Sequence, residues 1–161
     1  MYNSYYYNDT DFAIGGFILV IFLLAFIFAI AAYIITALIY YITSKTNGFS
    51  DVAYIAWIPV VNIYSLFLLT ANGTDNTSIR DAAKKNTLIY VGLVIVSFIP
   101  FIGWFSSIAC AIYGLYFTYR LLYRWCGESG KAILYIVLTL ITGGIFFAIY
   151  GLLRMNKPFV A

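Results

Sequence analysis

The sequence predicts an all-α, helical integral membrane protein with about four apolar helical segments, and three observations carry that expectation. Of 161 residues, 64% are apolar and 9% charged, whereas a soluble domain is roughly 25% charged. Four stretches carry no charge, and each reaches the ~20 residues that a helix needs to cross ~30 Å of hydrocarbon. The 16 tyrosines and 14 phenylalanines suit a lipid boundary better than a polar scaffold.

Residues 1–11 form an exposed tail rich in tyrosine, with Asp9 and Asp11 but no Lys or Arg. The first helical segment, 12–43, has no proline, and Tyr40 and Tyr41 near its end suit the membrane interface. The second, 52–71, holds Pro59 near its middle and Asn62 three residues on. A proline there removes a donor and frees a carbonyl, so a kinked span or a dip that returns is expected, with Asn62 able to supply a hydrogen bond.

The loop that follows, Asn72 to Lys85, is polar, and Ser78 with Asp81 three positions later predicts a capped short helix through Lys85 on the membrane surface. The third segment, 86–123, contains Ile99-Pro100-Phe101-Ile102-Gly103, which predicts a short helix, a turn at Pro100 to Gly103, and a longer helix ending in Arg120 and Arg124. Ile58-Pro59-Val60-Val61-Asn62 and Ile99-Pro100-Phe101-Ile102-Gly103 hint at a duplicated turn. The fourth segment, 131–154, includes Gly143-Gly144 and stops before Pro158, leaving residues 158–161 as a tail; residues 12–157 make one membrane domain.

All 9 Lys and Arg residues follow the first segment, which places the amino terminus outside a plasma membrane. Four simple crossings would split the basic residues between the two sides. If the proline-broken segments dip and return, every basic cluster before the last segment is cytoplasmic, and Arg154 and Lys157 alone are undecided.

Helices in lipid associate through small residues. Three stripes at helical spacing supply them: Ala25, Ala29 and Ala32 on the first helix, Ser107, Ala111 and Gly114 on the third, and Gly144, Ala148 and Gly151 on the last. They suit internal packing and self-association equally. Arg120, Arg124 and Glu128 recur every four residues, and with Lys131 they suggest interfacial anchors or a contact for anionic lipid.

The chain has no histidine, so Ser106 and Ser107 lack an imidazole base, and a pairing with Lys131 competes with the ordinary role of an interfacial lysine that snorkels. No catalytic group, metal site or cofactor is expected, and Cys110 and Cys126 read as unpaired thiols. No ionisable residue lies in the apolar stretches, which argues against a coupled transporter. A net charge of +3 without a basic stripe argues against nucleic acid.

The sequence Ala56-Trp57-Ile58-Pro59-Val60-Val61-Asn62-Ile63-Tyr64, after Lys45 and Gly48, resembles a family of small uncharacterised bacterial multi-pass membrane proteins with a W-x-P-x-x-N-x-Y signature and a tyrosine-rich start. The similarity extends through Ile99-Pro100-Phe101-Ile102 and Gly127-Glu128-Ser129-Gly130. It implies a bacterial plasma membrane protein and no particular activity. The expected function is that of a non-enzymatic scaffold or accessory subunit, in contact with the bilayer and with copies of itself or other membrane proteins. The alternatives are a small homo-oligomeric channel lined by Asn62, Ser65 and Ser97, and an immunity protein against a membrane-active toxin.

Overall fold

A computed structural model describes residues 9–161, with side chains from Ile14 onward. The expected tail of residues 1–11 therefore lies largely outside the described residues, and its last three positions are helical. The described residues form six α-helices, one 3-10 turn and no strand. Two compact units comprise Met1–Ile34 and Ile35–Ala161.

Helix α1, Asp9–Thr46, has 38 residues. Its part from Ile14 is the only helix among the described residues that is long and apolar enough to cross a membrane. The side chains described in the first unit are almost all exposed, including Phe17, Phe22 and Phe28. All remaining elements lie in the second unit. They are a 3-10 turn over Ala53–Trp57, α2 over Ile63–Thr70, α3 over Asn76–Val96, α4 over Ile102–Cys126, α5 over Ser129–Ile141 and α6 over Ile145–Arg154.

Each of the other three charge-free stretches is therefore interrupted. Segment 52–71 breaks at Pro59, leaving α2 only 8 residues long. The third breaks at Pro100, as expected. The fourth, expected as a single helix, splits at Gly143-Gly144 into helices of 13 and 10 residues. Both glycines take positive φ, 60° and 93°, a region closed to most side chains, so the chain reverses there instead of running on. At ~1.5 Å per residue the two pieces reach ~20 and ~15 Å, short of a full crossing.

The polar loop also differs from expectation. Asp75, not Ser78, is the N-cap of α3: its carboxylate accepts from the Thr77 and Ser78 amides at 3.1 and 3.4 Å, while Ser78 Oγ accepts from the Asp75 amide at 3.3 Å. The helix then runs unbroken through Lys85 to Val96, because the next proline is Pro100.

Helices α3 and α4 form an antiparallel hairpin stitched near its turn and again at mid-length. Ser106 Oγ donates to the Leu93 carbonyl at 2.5 Å near the turn, and Tyr113 Oη donates to Asn86 Oδ1 at 2.9 Å farther along. Gly103 permits the tight approach, since a Cβ there would collide with the Ser97 carbonyl. Helix α2 is the centre of the second unit, with every residue from Ser65 to Thr70 buried. Phe67 meets the rings of Tyr90, Tyr113 and Phe117 at 5.9, 5.7 and 4.7 Å. Beside it, α5 and α6 turn back on each other, and Trp125, fully buried, packs edge-on to Tyr150 and tilted against Phe147. Gly151 meets Ile39, the last part of α1, so closely that a Cβ would lie 2.7 Å from Ile39 Cδ1.

Candidate functional site

Two features of the second unit stand out: a basic end where helix termini gather, and apolar turns that carry backbone strain. Both follow from the positions of charges and prolines in the sequence.

At the basic end, Thr46 Oγ1 at the close of α1 donates to the Met155 carbonyl at 3.1 Å, and Asn47 Oδ1 accepts from the Phe159 amide at 2.9 Å. Arg154, the last residue of α6, donates to the Trp125 carbonyl at the end of α4. Arg124 spans to α2: Nη1 and Nη2 donate to the carbonyls of Leu69 and Ala71, both at 2.9 Å. Arg120 reaches Asn72 just beyond, and Arg80 near the start of α3 pairs with Asp51 at 2.8 Å. The C-termini of α1, α2, α4 and α6 and the N-termini of α3 and α5 thus meet at one end. Cations there also match the negative ends of four helix dipoles.

All 9 Lys and Arg residues belong to this end or to the first turns of helices leaving it. Lys45 closes α1, Lys84 and Lys85 follow Arg80 on α3, Lys131 opens α5, and Lys157 follows α6. The return of α6 brings Arg154 beside Trp125, so the two residues left undecided by the sequence join the other basic groups. Among the carboxylates here, Asp51 is held below its usual range chiefly by its hydrogen bond from Arg80, and Asp75 by that from the Ser78 hydroxyl. Lys131 is raised by its hydrogen bond to Glu128, at 2.8 Å.

The Arg124 guanidinium is taken up by the carbonyls of Leu69 and Ala71, whereas the half-buried Arg120 bonds the exposed side chain of Asn72. Glu128 has left the helix face altogether, serving as the residue before α5. Trp125 is fully buried, and its Nε1 has no hydrogen-bond partner.

The two proline turns have one geometry. In the first, the Val61 amide donates to the Pro59 carbonyl at 2.8 Å and the Asn62 amide to the Ile58 carbonyl at 2.9 Å; in the second, Ile102 donates to Pro100 at 2.8 Å and Gly103 to Ile99 at 2.7 Å. Each is a γ-turn centred on a residue of positive φ, Val60 at 68° and Phe101 at 65°. Such turns are rare, and a β-branched or bulky residue there costs about 1–3 kcal/mol. Both strained side chains point outward, Val60 79% and Phe101 95% exposed. The hinted duplication is therefore a duplicated backbone device. Asn62 serves through its backbone amide, and its side chain makes no cap bond to α2.

The small-residue stripes lie differently from one another. Gly151 is buried in close contact, whereas Gly144 and Ala148 are only partly covered. Ala25, Ala29, Ala32, Ser107 and Ala111 are exposed, and Gly114 has open space where a Cβ would stand. The buried face of α4 is instead Gly103, Ser106, Phe117, Leu121 and Trp125. Among the residues proposed to line a channel, Ser65 is buried on α2 and Ser97 Oγ donates to the Val94 carbonyl of its own helix at 2.6 Å. Comparisons with protein-family models, curated proteins and solved structures return no match.

Proposed function

We propose that the chain is a non-enzymatic multi-pass membrane scaffold or accessory subunit of a bacterial plasma membrane, related to the family its W-x-P-x-x-N-x-Y signature resembles. In this reading α1 crosses with its amino end outside, while the turn at Pro59 and the two helical hairpins enter from the cytoplasmic face and return to it. The observation that carries it is the segregation of charge. Every basic group sits at the end of the second unit where helix termini meet or within the first three turns of α3 leaving it, and the hairpins present Phe98, Phe101, Trp104 and Ile141 uncovered. Exposed apolar surface of this extent is costly in water and stable in hydrocarbon.

Contact is the mode of action that the surface supports. Ser107 and Ala111 lie on an uncovered face of α4, where small side chains let another helix approach closely. Replacing both by leucine leaves the internal packing of α4 intact and is expected to abolish crosslinks to copies of the chain or to neighbouring membrane proteins in native membranes. Crosslinks that persist unchanged in Ser107→Leu/Ala111→Leu, or their absence from the natural protein, would count against a scaffold working through this face.

A further inference from the structure

A groove of about 530 Å³ opens between the Ala53–Trp57 turn, α2 and α3, within the ~300–1,000 Å³ range of small-molecule sites. Val52, Ile55, Val61 and Leu88 provide apolar walls, and the only charged residues lining it are Arg80 and Lys84. Both cations and Leu88 follow one another at four-residue steps on α3, so they lie along one face. From Arg80 to Leu88 that face descends ~12 Å, passing from the polar first turns of the helix into its apolar remainder.

The groove therefore asks for an amphiphile with its charge at one end. Its negative head must sit at the level of Arg80 and Lys84, and its chain must run along Val61 and Leu88. Arg80 is already shared with Asp51 at 2.8 Å, but Lys84 has only a loose pair with Asp81 at 3.4 Å, in which both groups are mostly exposed. A phosphate oxygen can accept from both cations without displacing a buried partner. The surface around the opening is also apolar, with Tyr54 and Leu88 60% and 73% exposed.

We propose that this groove is a binding site for an anionic phospholipid, its phosphate between Arg80 and Lys84 and one acyl chain against Val61 and Leu88. The site rests on the membrane reading above and adds to it a headgroup preference and a place. It also places a lipid contact at a pair of cations beside an open groove, apart from Arg124, whose guanidinium is held by the Leu69 and Ala71 carbonyls.

The test is native mass spectrometry of the full chain released from bilayer discs of equal phosphatidylglycerol and phosphatidylcholine. The natural protein is expected to retain phosphatidylglycerol in preference, and Arg80→Gln/Lys84→Gln to reduce that preference about tenfold. Lys84→Gln alone, which leaves the Arg80–Asp51 pair in place, is expected to show part of the loss, and Lys157→Gln none. Equal retention of the two lipids, or an unchanged preference in the double variant, would overturn the site. A photoreactive phenylalanine in place of Leu88 is expected to capture a phospholipid; an adduct with a second chain or another protein would overturn it as well. Release of the natural protein from membranes by alkaline carbonate would instead remove the membrane reading on which the site stands.

Discussion

Arg124→Ala is expected to unfold the second unit at markedly lower temperature, with a loss on the order of 3 kcal/mol. Two charge-assisted hydrogen bonds disappear, to the carbonyls of Leu69 and Ala71, and each is worth roughly 1.5–3 kcal/mol. Helix α2 has only 8 residues, so half of its carbonyls have no intrahelical donor, and its end is buried away from water. The same side chain lies beneath the Phe159 ring at 5.3 Å, so the C-terminal tail loses a packing contact with it. Arg124→Lys preserves the charge but not the planar fork that reaches two carbonyls at once. It is expected to recover less than half of the loss in thermal unfolding followed by circular dichroism in detergent; full recovery would show that charge, not geometry, is what matters.

The second large effect is expected at Trp125. Its side chain is the largest of those fully buried, enclosed by Phe147 at 6.0 Å and Tyr150 at 6.1 Å. Trp125→Ala leaves a cavity where α4 meets α6 and should cost about 3–5 kcal/mol. Trp125→Phe, which keeps most of the volume and removes only an indole N–H that has no partner, should cost far less. Similar melting temperatures for the two variants would contradict the buried position.

These residues also mark the limit of what the sequence reveals. Helix α1 is legible because a long apolar run without proline has one stable form in any apolar surrounding. The turns at Pro59 and Pro100 are legible because proline interrupts a helix wherever it stands inside one, and the five-residue likeness between them carries through to matching hydrogen bonds. The need for glycine at position 103 is visible only in three dimensions: the Ser97 carbonyl occupies the space of its missing side chain.

Gly143-Gly144 misleads in the opposite sense, since two glycines permit either continued helix or reversal, and packing of Tyr135 against Phe146 and Tyr150 decides for reversal. The role of Arg124 is illegible because its acceptors lie more than fifty positions earlier. The buried face of α4 lies one residue, about 100° of helix, away from its small-residue stripe, because this core is built from interlocking aromatic rings around Phe67 more than from small residues. Large side chains at helical spacing, the aromatic Tyr113 and Phe117 followed by Leu121, mark that face in the sequence.

The central claim is that all basic groups share one side of the membrane while the hairpins return to it. In a background with Cys110 and Cys126 replaced by serine, single cysteines at Ser4→Cys, Ser78→Cys, Glu128→Cys and Lys157→Cys can be labelled in intact cells with an impermeant maleimide. The account predicts labelling at position 4 alone, with the other three reacting only after the membrane is opened. Labelling of position 78, 128 or 157 from outside would contradict it.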